Sequence, residues 1–226
     1  MLILVAVALA APPIPQLTTQ GFAVGFGGVG RVSEDQLVDP DCTSDACAAL
    51  RHRSGWGGLV VVQAAPFASG WFRGGSEAVS AQAAEYSASG FGFDGGLTAN
   101  FLPKRDIGAL AWGEGFYGNS GTEGKSEARR WGAKAGGAAR FGTALDGVFV
   151  WTGGELEFEG KDTTRTQGGA LEVPLRPAIP LNVVAGIAIL SEPLAGAGST
   201  SPRMFFTLSG SAGAELGMDA SLGVGF

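Results

Sequence analysis

Residues 130–141 read RWGAKAGGAARF, and every second residue belongs to one of two different sets. Trp131, Ala133, Ala135, Gly137, Ala139 and Phe141 are all apolar, with an aromatic ring at each end. Arg130, Gly132, Lys134, Gly136, Ala138 and Arg140 carry every charge. Alternation with period two is the pattern of a strand with one apolar face. Ten residue steps at ~3.3 Å and a ~45° tilt cover roughly 23 Å, close to the ~25 Å apolar band of a transmembrane barrel. Residues 147–160, GVFVWTGGELEFEG, repeat the pattern. Val148, Val150, Thr152, Gly154, Leu156 and Phe158 form one face, while Glu155, Glu157 and Glu159 share the other with Phe149 and Trp151. A hairpin joining the two stretches places Arg130, Lys134 and Arg140 on the same side as the three glutamates. Opposite charges then neutralise one another in a narrow polar interior. An antiparallel sheet with one wet face gives the same alternation and stands as the alternative.

Composition supports many strands. Glycine contributes 39 of the 226 residues, more than twice the usual ~7%. Charged residues are 16%, against ~25% in ordinary soluble domains. The net charge of -6 and the lack of a basic block argue against a nucleic-acid partner. One histidine, His52, excludes a multi-histidine metal site, and no metal or other cofactor is expected.

Other stretches follow the alternation. Phe91, Phe93, Gly95, Leu97, Ala99 and Phe101 oppose Asp94, Thr98 and Asn100. Phe22, Val24, Phe26, Gly28 and Val32 oppose Gly25, Gly27 and Arg31. That last stretch contains GFGGVG (25–30), which matches the dinucleotide fingerprint G-x-G-x-x-G. RVSEDQLVDPDC follows it and starts no helix, so its inner glycines read as small residues facing crowded interior side chains. Two segments break the rule: 107–118 sets Glu114 beside Leu110, Trp112 and Phe116, and LVVVQAAPF is apolar on both sides. Strands are expected near 20–32, 54–67, 70–80, 86–102, 107–118, 130–141, 147–160, 165–175 and 181–192, with a long final strand in 203–226. That makes ten. Bacterial single-chain barrels have even strand numbers, so eight results if the unclear 68–88 region and one more segment drop out, and twelve is the next even number if 203–213 and 217–226 are separate strands.

The chain ends in GMDASLGVGF, with Met218, Ala220, Leu222, Val224 and Phe226 alternating against Asp219, Ser221, Gly223 and Gly225. A terminal aromatic on such a strand resembles the assembly signal of Gram-negative outer-membrane β-barrels. The resemblance implies an all-β fold, an antiparallel up-and-down transmembrane barrel spanning 20–226. It also implies outer-membrane residence, and as partners the outer-membrane lipid and the barrel-assembly machinery, with Leu222, Val224 and Phe226 as the signal. At the other end, MLILVAVALAAPPIP has a run of about ten apolar residues, short of the ~20 a spanning helix needs. Ala8-Leu9-Ala10 has the form of a cleavage site, so residues 1–10 read as a secretory signal peptide, although no Lys or Arg precedes the run. A buried N-terminal strand or helix is the other reading. Export makes pairing of Cys42 with Cys47 the expected state of the two cysteines, with two free thiols as the alternative.

No catalytic constellation stands out. GNSGTEGKS (118–126) misses the P-loop spacing by one residue. His52-x-Ser54 resembles the histidine and serine of outer-membrane lipid A deacylase barrels, which would work as base and nucleophile with a carboxylate orienting the imidazole. The asparagine expected after the serine is missing, and no acid follows on that part of the strand. A histidine in a surface loop is the plainer reading. The five tryptophans, Trp56, Trp71, Trp112, Trp131 and Trp151, read as interfacial girdle anchors. The expectation is a structural or surface-interaction barrel without catalysis. A narrow channel or small-ligand carrier, a lipid-modifying enzyme barrel and a soluble secreted β-sandwich remain as alternatives.

Overall fold

The computed structural model describes residues 17–18, 21–38, 48–81, 86–122, 126–142, 147–166, 169–172, 181–192, 202–213 and 216–226. Among them the secondary structure is all strand: β1 (Ala23–Val38), β2 (Ala48–Ala65), β3 (Ala68–Ala81), β4 (Tyr86–Phe101), β5 (Ile107–Thr122) and β6 (Ser126–Phe141). There follow β7 (Val148–Thr166), β8 (Gly169–Glu172), β9 (Leu181–Leu190), β10 (Arg203–Ala212) and β11 (Leu216–Gly225).

Every pairing is antiparallel. β1 to β7 join in chain order, β7 pairs β9, β9 pairs β10, β10 pairs β11, and β11 returns to β1. The ring therefore closes as an up-and-down barrel of ten strands. Closure rules out the sandwich, which needs two sheets with edges. The strand count was expected, but its composition differs. β8 is four residues long and pairs only with the tip of β7, Thr163 to Thr166, so the described residues within 165–175 add no wall strand of their own. The final segment instead divides into β10 and β11. Four residues cannot cross a ~25 Å apolar band, and ten can.

The alternation decides which face each side chain takes. Phe91, Phe93, Leu97 and Phe101 on β4 point out and are exposed, while Asp94, Thr98 and Asn100 point in and are buried. On β6, Trp131 and Phe141 mark the two ends of the outer file, and Arg130, Lys134 and Arg140 are buried inside. β5 inverts the chemistry rather than the geometry. Its inner file carries Leu110, Trp112 and Phe116 as well as Glu114, and its outer file is mostly Ala and Gly. β2 likewise sends Leu59, Val61 and Gln63 inward and Val60 and Val62 outward. Apart from Phe116, which lies on the loop side, these departures have one cause: the half of the lumen nearest the chain termini is packed with apolar side chains.

Three of the five tryptophans are not girdle anchors. Trp71, Trp112 and Trp151 are buried inside, whereas Trp56 and Trp131 face outward at 76% and 50% exposure. Each inner ring has a glycine as its direct partner on the next strand: Trp71 with Gly96, Trp112 with Gly136, Trp151 with Gly186, and Phe205 repeats the arrangement with Gly223. A Cβ on Gly136 would stand 2.2 Å from a Trp112 ring carbon, and one on Gly186 would stand 2.2 Å from Trp151. The glycines are therefore the floors on which these rings lie.

Candidate functional site

Directly above the aromatic layer lies a layer of charge. Arg31 on β1 and Arg73 on β3 bridge Asp94 on β4 and Asp219 on β11 in a closed square. Arg31 reaches Asp219 at 2.8 Å and Asp94 at 3.0 Å, and Arg73 reaches Asp94 at 2.5 Å and Asp219 at 2.8 Å. Arg73 also approaches Glu114 at 3.6 Å. Glu114 is the cross-strand partner of Lys134, which lies 3.5 Å from Glu155 and 3.7 Å from Glu157. Arg130 pairs with Glu157, and the Trp112 indole N–H donates to Glu155 at 3.0 Å. The network crosses the barrel from β11 to β7. Opposite charge compensates the burial of each group, which would otherwise be prohibitive.

The six residues expected to form one inner charge cluster do not all meet. Arg130, Lys134, Glu155 and Glu157 do. Arg140 points inward at the other end of β6, where its guanidinium donates to Asn100 Oδ1 at 3.2 Å and to the carbonyls of Leu102 and Arg105 at 3.0 Å each. It pins the β4–β5 turn, its level on the strand four residues from Glu155 and six from Glu157, and a ~3.3 Å rise per residue carries it out of their reach. Glu159 opposes Gly132 just before a register shift at Trp131, and its side chain lies outside the described residues, as do Cys42, Cys47 and the 1–10 segment.

The square of arginines and aspartates was not read from the sequence as a unit. Arg31, Asp94 and Asp219 each sat on a polar face, but β1 and β11 meet only when the ring closes, and Arg73 lay in an unclear stretch.

At the terminus side, Leu17 is buried against Gly25, Gly225 and Phe205. Gln63 holds this segment: its Oε1 accepts from the Leu17 amide at 2.8 Å, and its Nε2 donates to the Thr18 carbonyl at 2.8 Å. At the loop side a cavity of about 100 Å³ remains, lined by Arg31, Arg53, Glu77, Asp94, Glu114 and Phe116. Arg53 donates to Glu77 at 3.0 Å on its wall, and Arg130 sits 4.6 Å over the Phe116 ring. The hairpin of β7 and β8 leans inward until β8 approaches β1.

On the outer wall the charge is sparse. Among the described residues, the charged or ionisable-basic side chains facing outward from the strands are Glu34, His52 and Arg129, all toward the loop ends. His52 is therefore not in a loop but on β2, where Glu34 is its cross-strand partner. Its Nδ1 lies 2.8 Å from Glu34 Oε1. Leu222 and Phe226 point outward on and just past β11, where Leu222 faces Gly28 of β1, Val224 faces Phe26, and the Phe226 amide donates to the Val24 carbonyl at 2.8 Å. GFGGVG lies wholly within β1; of GNSGTEGKS, residues 118–122 end β5 and Ser126 opens β6.

No family model and no curated protein sequence matches the chain. Solved structures similar to it include the transport unit of the autotransporter AIDA-I from Escherichia coli, at 10% identity and a TM-score of 0.44, covering 89% of each chain. The translocator domain of the autotransporter NalP from Neisseria meningitidis is 11% identical with a TM-score of 0.43, covering 92% of this chain and 89% of that one. An outer membrane channel from Pseudomonas putida F1 is 11% identical with a TM-score of 0.42, covering 96% of this chain and 98% of the other.

Proposed function

We propose that the chain is an outer-membrane β-barrel with a closed lumen, which works through its outer wall and loops rather than as an open pore. The observation that carries this reading is the filling of the interior by two stacked layers. Leu17, Trp71, Trp112, Trp151, Phe205 and their glycine partners occupy the terminus-side half, and the ion network seals the level above. Membrane residence is supported by the outer wall, where Phe26, Phe72, Leu97, Val183 and Leu222 are among the large apolar side chains at 39% exposure or more. Apolar surface of that extent on a closed barrel fits lipid. Outer-membrane lipid and the barrel-assembly machinery are the partners this reading implies.

The test has two stages. Protein taken from the outer-membrane fraction should migrate differently on SDS gels before and after boiling. Inserted in planar bilayers, it should then show no stable conductance steps. A soluble protein without a gel shift overturns membrane residence, and well-resolved open-channel steps overturn the closed lumen.

The cavity of about 100 Å³ on the loop side favours a second reading, a narrow channel or small-ligand carrier. It requires conductance that changes when Lys134 or Glu155 is neutralised.

A further inference from the structure

The loop-side cavity is lined by polar groups that the ion network leaves unmatched, and they are of two kinds. The first are donors. Arg31 commits its Nε to Asp219 at 2.8 Å and its Nη2 to Asp94 at 3.0 Å, and its Nη1 meets no acceptor among the described residues. Although Arg31 points into the barrel, its side chain is 37% exposed, because it lines this cavity. The buried Ser211 hydroxyl, also on the lining, has no partner among the described residues. Ser211 and Ser33 flank Gly217 in one cross-strand row, the next inward row toward the loops from Arg31 and Asp219. The second kind are acceptors. The Glu114 carboxylate is only 8% exposed, yet it receives no hydrogen bond from a described residue, and its nearest cation, Arg73, stands 3.6 Å away. Glu77 adds its Oε2, since Arg53 donates to Oε1 alone.

We infer that this cavity binds a small zwitterion of the α-amino acid class. Its carboxylate lies against Arg31 Nη1 and the Ser211 hydroxyl, and its ammonium against Glu114. The inference rests on the small-ligand reading of the cavity and does not require conduction.

Charge and size select this class. Arg31 and Arg73 match Asp94 and Asp219, and Arg53 is matched by Glu77. A lone cation or anion would bring an uncompensated charge into that buried layer, at a penalty of several kcal/mol. A zwitterion brings no net charge, and both its ends gain charge-assisted hydrogen bonds. An apolar cavity of about 150 Å³ holds benzene, which has six heavy atoms. A cavity of about 100 Å³ suits a slightly smaller molecule, and glycine has one heavy atom fewer than benzene. The packed aromatic layer closes the terminus side, so the ligand enters and leaves at the loop end.

The experiment uses the full chain folded in detergent, with radiolabelled glycine in equilibrium dialysis and the heat-dependent gel shift as the check on the barrel. The expected result is saturable binding of one glycine per chain, displaced by unlabelled glycine. Acetate and methylammonium, each carrying one half of the ligand, should displace little at the same concentration. Glu114→Gln keeps the shape of the side chain and should weaken binding about tenfold or more, the scale of a hydrogen bond to a charged group. Gly217→Ala sets a Cβ 3.4 Å from Ser211 Oγ and 3.6 Å from Ser33 Cβ, ordinary contacts that keep the fold, and it should weaken binding by narrowing the cavity. Ser80→Ala, on β3 outside the lining, should leave binding unchanged. Each variant must keep the gel shift. Acetate or methylammonium displacing the label as well as glycine does means a site for a single charge and overturns the zwitterion. Undiminished binding in Glu114→Gln overturns the site as assigned. A barrel that shows the shift but takes up no glycine overturns it too, while conductance that responds to neutralising Lys134 or Glu155 would leave the channel reading standing.

Discussion

At the scale of single residues, the barrel depends on fits that tolerate little. Gly136 and Gly113 are both glycines in neighbouring strands, but a Cβ on the first meets the Trp112 ring at 2.2 Å, whereas on the second its nearest contact is a Lys134 carbonyl at 3.8 Å. Gly136→Ala should therefore destabilise the fold by about 1–3 kcal/mol, the usual cost of overpacking, and Gly113→Ala should change it little. Urea midpoints followed by the gel shift would separate the two. Asp219 presents a different kind of dependence. Two arginines, Arg31 and Arg73, converge on it, and its removal leaves Arg31 with Asp94 as its ion pair and the buried Arg73 with Asp94 and the more distant Glu114. Asp219→Ala is expected to cost about 3–5 kcal/mol, as for other buried pairs that lose one member. The paired change Arg73→Met with Asp219→Leu should lose less than the sum of the two single changes, which a double-mutant cycle would measure.

At the scale of elements, strands differ in what they contribute. β8 pairs only with the tip of β7 and stands outside the ring, so deleting residues 169–172 should preserve the gel shift and the β-type circular dichroism. β11 is the opposite case, because it closes the ring between β10 and β1. In the proposed membrane setting its outer file meets lipid, and Leu222→Arg should then cost up to about 2–4 kcal/mol near the membrane midplane, less toward an interface. Ser221→Ala, on the inner file where Ser221 pairs with Thr207, should lose only the modest net worth of a hydrogen bond, about 1 kcal/mol. The contrast between adjacent positions of one strand is the direct readout of which face meets lipid.

At the scale of the whole molecule, the two layers inside and the apolar band outside make separable predictions. Tryptophan fluorescence in vesicles containing brominated phospholipid should be quenched chiefly through Trp56 and Trp131, which face outward. Replacing both by Phe should remove most of the quenching, while Trp71, Trp112 and Trp151 remain shielded by the wall. Strong quenching left in that double variant would mean that the inner rings reach lipid and that the ring is not closed as described.

Much of this barrel was legible in the chain itself. RWGAKAGGAARF and GVFVWTGGELEFEG declare their faces because the side-chain period of a strand is two and lipid accepts only one of the two sets. The same logic gave the inner glycines of GFGGVG a packing role and the outward sense of Leu222 and Phe226. Three things needed the folded molecule. Trp71, Trp112 and Trp151 fit a girdle equally well by composition, and only their glycine partners on the next strand show that they fill the lumen. The arginine–aspartate square joins β1 to β11, ends of the chain that local spacing cannot relate. Glu34 and His52 come from different strands, and only the pairing of β1 with β2 brings them within 2.8 Å. Periodicity sets the side on which a residue lies; closure of the ring and its register decide which residue it meets there.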